Sequence, residues 1–184
     1  MVKQSSRRVF LKGLGFLSVS GVALPLVGCQ HNKAGGSGGG GARFDKSPII
    51  LMGGESSSAV DFIKDRVRIE AGDTVTWELQ SSGHTATAYH PDTNNVFPNR
   101  IPEGAVPFDS PLLFTKGDTF ENTFTTEGVY NYYCRPHEGQ GMVGIIVVGK
   151  ALDGPGLAPI QPEISSVVTR RKLEELIDWA KKQI

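Results

Sequence analysis

Residues 66–79 read RVRIEAGDTVTWEL, and their alternation decides the fold class. Val67 and Ile69 interleave with Arg66, Arg68 and Glu70; past the AGDT turn, Val75, Trp77 and Leu79 interleave with Thr74, Thr76 and Glu78. A period of two gives each segment one apolar face, as a half-buried strand requires. Gly72 supplies the turn residue that tolerates positive φ.

Outward from this pair the same texture repeats. PIILM (48–52), AVDFI (59–63), HTATAY (84–89), TFENTFT (119–125), GVYNYYC (128–134) and MVGIIVV (142–148) are short β-branched and aromatic runs. KGDT (116–119) and TEGV (126–129) are further Gly turns, and no helical spacing is sustained between Ser47 and Gly149. About eight short strands in roughly 100 residues predict an all-β, antiparallel Greek-key sandwich or barrel. Residues 90–111, HPDTNNVFPNRIPEGAVPFDSP, hold five prolines and are expected to form a structured surface loop that roofs a site.

The flanks read differently. Residues 1–28 have a basic head, an apolar stretch and small residues before Cys29, the pattern of a targeting signal. Arg7-Arg8 followed by Val9-Phe10-Leu11-Lys12 resembles the twin-arginine export signal, which carries folded proteins across the membrane. The apolar run from Gly13 to Gly28 is shorter than the roughly 20 residues of a spanning helix. LVGC at 26–29 resembles a lipoprotein cleavage box, which implies that Cys29 is acylated by more than one chain and firmly anchored. Residues 29–46 are a Gly-rich tether that cannot bury enough surface to order itself.

After the sandwich at 47–149 comes a Pro/Gly linker and then a helix, together residues 150–184. Leu173, Leu176, Ile177, Ala180 and Ile184 share one helical face, with Trp179 a step off it. That stripe is expected to pack on the sandwich or on a partner. The implied location is extracytoplasmic, at the periplasm or cell surface, with the domain tethered to the membrane.

The whole chain has no net charge, but residues 47–149 carry 6 basic and 13 acidic residues, a net of −7. Such a domain repels nucleic-acid backbones and phosphate substrates and is steered toward basic partner surfaces.

The chemistry concentrates in CRPHEGQGM at 134–142. With Cys29 assigned to the anchor, Cys134 is left with no disulfide partner. A thiolate, an imidazole and a thioether are soft to borderline ligands, and one Cys, two His and a weak axial Met form the set that selects copper for electron transfer. Cys134 closes a strand, His137 and Met142 follow at spacings of three and five, and Pro136 and the glycines bend the chain back. The remaining ligand must come from another strand. His31 lies in the tether, leaving His84, which opens HTATAY after a turn, and His90, which lies toward the far end and precedes Pro91. Strand geometry favours His84.

The same residues admit rival readings. Singly, Cys134 is an ordinary buried thiol, His137 and His84 turn residues and Met142 a core residue; jointly they have no such ordinary account. Structural zinc prefers four Cys or His ligands without a thioether. A cysteine nucleophile lacks a nearby orienter for its base. Four histidines, one in the tether, leave none for an added catalytic copper centre.

His84, then Cys134-x-x-His137-x-x-x-x-Met142 about fifty residues later, resembles the blue-copper proteins of the plastocyanin and pseudoazurin kind, the small cupredoxins. RIPEGAVPFDS at 100–110 adds supporting similarity. The resemblance spans about residues 47–149 and implies one copper ion cycling between Cu(II) and Cu(I). It implies a monomeric electron carrier, not an enzyme, that exchanges single electrons with redox proteins such as a cytochrome or a membrane oxidoreductase complex. A copper-storage or copper-delivery module is the alternative it allows. One departure is visible: where the family often has Asn after its first His ligand, Thr85 stands here, which puts the brace of the ligand loop in question.

Overall fold

The computed structural model describes residues 44–54, 60–81, 83–161 and 166–183. The expected export signal, Cys29, the expected tether up to residue 43 with His31, and Ile184 lie outside the described residues. The last residues expected in the tether, 44–46, are described, and Asp45 N–H donates to Arg68 O at 2.6 Å, so the domain begins a few residues earlier than expected. Eight strands form two four-stranded sheets: β1 (Ile49–Met52), β2 (Phe62–Ile63), β3 (Arg66–Ile69), β4 (Thr74–Leu79), β5 (Thr87–Ala88), β6 (Thr119–Thr123), β7 (Gly128–Tyr133) and β8 (Val143–Val148). The orders are β2-β1-β4-β6 and β3-β8-β7-β5. One helix, α1 (Val167–Lys181), follows. Among the described residues no helix is long and apolar enough to cross a membrane.

The sheets are mixed where an antiparallel sandwich was expected: β1 pairs with β4, and β3 with β8, in parallel. The reason is the path of the chain. It reverses between β1 and β2, leaves the first sheet through β3, and reverses again at the AGDT turn, so β4 returns beside β1 pointing the same way.

The first sheet is one-sided. Val75, Trp77 and Leu79 are fully buried, whereas Thr74, Thr76 and Glu78 are only partly covered, and β6 presents Thr119, Glu121 and Thr123 outward. Trp77 anchors the inner face, with ring centroids of Phe108 and Tyr132 at 5.2 and 5.4 Å. The second sheet is covered on both faces, and every residue of β7 and β8 is buried. Tyr130, Tyr132, Ile146 and Val148 join the main core; Val129, Tyr133, Val143, Ile145 and Val147 face a second cluster completed by Leu173, Leu176, Ile177 and Ala180 of α1.

The helix is thus a layer of the domain. Ser166 caps it, its hydroxyl oxygen accepting the Thr169 N–H at 3.0 Å, and Trp179 packs half-buried at the edge of the contact. Asp65 pairs with Lys172 and, at 2.7 Å, with Arg66. The Pro/Gly stretch before the helix is pinned as well. The buried Arg100 guanidinium donates to the carbonyls of Gly156, Ala158 and Pro159 and to Asn131, and burial pulls its pKa down to about 10, so it stays charged at neutral pH.

HTATAY forms a strand only at Thr87–Ala88, because its other edge is taken by the end of the Pro-rich segment. Ala88 N–H donates to Phe108 O, Ser110 N–H to Ala86 O, and Leu113 N–H to His84 O. Residues 108–113 run beside 83–88 without forming a regular ladder.

Candidate metal centre

Pairing of β7 with β8 aligns Tyr133 with Val143, so residues 134–142 must close a loop over one end of the second sheet. The backbone does this by itself. Cys134 N–H donates to Met142 O at 3.0 Å, His137 N–H to Cys134 O at 3.0 Å, and Met142 N–H to His137 O at 3.3 Å. A 3-10 turn at Glu138–Gln140 completes the reversal, ending on Gly141 at φ 89°.

His84 arrives at the same end from the segment before β5. Its Nδ1 lies 3.6 Å from Cys134 Sγ and 3.1 Å from His137 Nδ1, and His137 Nδ1 lies 3.4 Å from Cys134 Sγ. Among the described residues these three form the group of His, Cys, Asp and Glu side chains close enough to share a metal ion. The point equidistant from atoms at 3.1, 3.4 and 3.6 Å separations lies about 2.0 Å from each, close to the roughly 2.0–2.3 Å that imidazole nitrogen and thiolate sulfur make to an ion such as zinc. The donor set, two imidazoles and one thiol, suits copper or zinc. The three donor atoms are therefore spaced so that they would fit a single ion.

Burial grades the three. Cys134 is fully buried and His84 is 1% exposed, whereas His137 is partly exposed. Burial holds His137 below the usual imidazole range, which favours its neutral, ligating form. Burial pushes the Cys134 thiol up, and the backbone N–H groups of Thr85 and His137 offset part of that rise. A soft cation would displace the thiol proton on binding.

Met142 is fully buried in the main core together with Cys134. His90 lies apart from the group and accepts the Asp92 N–H on its own Nδ1.

Several supporting residues had no signal in the sequence. Ser81 Oγ lies 3.3 Å from His84 Nε2; with Nε2 as the donor, Nδ1 keeps a lone pair toward the other ligands. Gly53, at φ 78°, packs against the same ring, and a Cβ there would stand 2.8 Å from Nε2 and 2.0 Å from Ser81 Oγ. Thr85 supplies the brace in question. Its N–H donates to Cys134 Sγ at 3.4 Å, and its hydroxyl accepts the Arg135 N–H at 2.9 Å. The Arg135 guanidinium in turn donates to Asp109 and to Ser110 O, tying the ligand loop to residues 108–113.

Comparison with known proteins adds a family to this geometry. Residues 49–149 match the model described as copper binding proteins, plastocyanin/azurin family. The chain is 34% identical over 100 residues to halocyanin of Natronomonas pharaonis, covering 54% of this chain and 55% of that one. It is 35% identical over 104 residues to plastocyanin of Scenedesmus fuscus, covering 54% of this chain and 98% of that one. The chain thus spans little more than half of the halocyanin but nearly all of this plastocyanin. Native pseudoazurin from Hyphomicrobium denitrificans superposes with a TM-score of 0.56 at 25% identity, over 72% of this chain and 97% of that one.

Proposed function

Because this chain belongs to the plastocyanin/azurin family of copper-binding proteins, we propose that it carries single electrons on one type 1 (blue) copper ion held by His84, Cys134, His137 and Met142. The observation that carries this reading is the buried triangle of two imidazole nitrogens and one thiol sulfur. Bound copper supplies a one-electron Cu(II)/Cu(I) couple tuned by its axial ligand and by the surroundings of the thiolate.

The chain's own residues supply the rest. Cys134 is fixed at a strand end, His84 is held between Ser81 and Gly53, and neither side chain has room to follow a change in ligand preference. The Thr85 N–H aimed at Sγ stabilises negative charge on sulfur. Met142, buried in the same core cluster as Cys134, would supply its thioether as the fourth ligand. His137 is the ligand with surface access, beside exposed Pro136. Exposed Leu112 and Phe114 flank Leu113, the bridge partner of His84. Electrons enter and leave through this apolar end.

The partners are redox proteins, such as a cytochrome or a membrane oxidoreductase complex, with a basic contact surface that complements the acidic domain. The twin-arginine pattern and Cys29 support export with a lipid anchor. The carrier reading is tested on the full-length protein by adding Cu(II) and recording visible and EPR spectra with voltammetry. Intense blue absorption, a small copper hyperfine splitting and a reversible one-electron wave are expected, all lost in Cys134→Ser. Colourless protein, or an ordinary tetragonal Cu(II) spectrum, overturns it.

A further inference from the structure

His137 is the triangle member with the least support from the strands, since it sits four residues past β7 in a loop and is partly exposed. Loops drift unless something outside them fixes their position. What lies against this one is the first turn of α1, some thirty residues away in sequence.

The contact is a buried polar strut. The Glu138 carbonyl accepts the Gly141 N–H at 2.9 Å, closing the turn between His137 and Met142, and also accepts the hydroxyl of Thr169, which is fully buried. Both lone pairs of that oxygen are therefore engaged. Hydrogen accounting at the helix cap agrees. Ser166 Oγ accepts the Thr169 N–H at 3.0 Å and lies 2.8 Å from Thr169 Oγ1, so the Ser166 hydroxyl donates to Thr169 and leaves the Thr169 proton for Glu138. On the other side, the Glu138 carboxylate, itself 5% exposed, accepts the Tyr89 hydroxyl at 3.1 Å. Apolar contact completes the fit, because a Cβ on Gly141 would stand 3.0 Å from Val168 Cγ1.

We propose that Thr169 and Glu138 are positioning residues for the metal centre, and that the first turn of α1 is the outer buttress of the loop carrying His137 and Met142. The turn is held from within by its own N–H bonds and from without by one helix hydroxyl and one tyrosine hydroxyl. Loss of the helix hydroxyl lets the Glu138 carbonyl swing, and the carbonyl of His137, which accepts the N–H groups of Gln140 and Met142, moves with it. Outer partners of this kind orient ligands and tune the ion they hold. The redox consequence rests on the copper reading above; the geometric one does not.

Thr169→Val removes the hydroxyl at nearly constant volume, and Thr169→Ser keeps it. In the metal-free full chain, amide hydrogen exchange at Gly141 and Met142 should quicken about five- to tenfold in Thr169→Val relative to the β7–β8 ladder, and stay near wild type in Thr169→Ser. In copper-loaded protein, the reduction potential and hyperfine splitting should shift in Thr169→Val and return in Thr169→Ser. A lower melting temperature in Thr169→Val with unchanged exchange at Gly141 and Met142 overturns the proposal, as does identical behaviour of the two variants. If Thr169→Val does not fold, Tyr89→Phe probes the same turn from the opposite side, with the same exchange signature expected and a flat profile counting against the buttress. Wild-type protein that takes up no copper would sink the carrier reading alone, because the metal-free exchange still decides the buttress.

Discussion

Thr85 shows how one residue, through its backbone and its side chain, serves two ends of a site. Its N–H reaches Cys134 Sγ and its hydroxyl accepts from Arg135, so one residue fixes both the sulfur and the first residue of the loop. Thr85→Val keeps the backbone donor and leaves the part-buried Arg135 N–H without its acceptor. A fully buried unsatisfied group costs about 1–3 kcal/mol and a part-buried one falls toward the lower end, so thermal unfolding of the metal-free protein should register a drop of a few degrees. Support for His84 is as local. Ser81→Ala or Gly53→Ala should weaken Cu(II) binding about 10- to 100-fold, measured by competition with a chelator, with Gly53→Ala the worse of the two because its Cβ meets both the ring and Ser81. The cluster of His84, Cys134 and His137 was legible in the sequence because a thiol and an imidazole stand three residues apart past a strand, and His84 followed from its place at a strand end. Ser81 and Gly53 were not, and Thr85 was legible only as a departure from the family pattern, since what these residues do depends on contacts made across the sandwich.

Among the elements, β4 was fully legible and β8 only half so. The alternation of Val75, Trp77 and Leu79 maps onto one buried face, whereas VGIIVV has no polar face because α1 covers the side that would otherwise meet water. The brevity of β5 was hidden too, because residues 108–113 take its free edge with a mixture of backbone and Ser110 hydroxyl bonds. Docking of α1 on this sheet adds a titratable element. Burial of Asp65 would raise its pKa, but hydrogen bonds and charge from Arg66 and Lys172 outweigh that and leave it below its ordinary value of 3.8. A carboxyl lowered by folding contributes stability above its unfolded pKa and loses it as pH falls through the folded one. Asp65→Asn should therefore destabilise by about 1–2 kcal/mol at neutral pH, and chemical denaturation of the two proteins should converge as the pH drops below about 4.

At the scale of the whole molecule, the part that resembles its family and the part that folds are of different extent. The family match ends at residue 149, yet the outer face of the second sheet, with Val129, Tyr133, Val143, Ile145 and Val147, is closed by side chains from 173–180. Without the helix these five positions and Tyr89 would form one contiguous apolar surface, of the kind a soluble monomer seldom exposes. Loss of the linker along with the helix would also take from the Arg100 guanidinium the three carbonyls of Gly156, Ala158 and Pro159, leaving a buried charge bonded to Asn131. Both effects act in one direction. A chain ending at residue 150 should be recovered in aggregates, or should bind a hydrophobic dye and unfold at much lower denaturant than the full chain, even though it retains all four proposed copper ligands. A chain ending at residue 161 keeps the Arg100 contacts and loses only the helix, so it should be the more stable of the two in the same titration. Equal stability of both truncations and the full chain would mean that the second sheet tolerates an open face, and that the helix is an appendage to the sandwich instead of one of its layers.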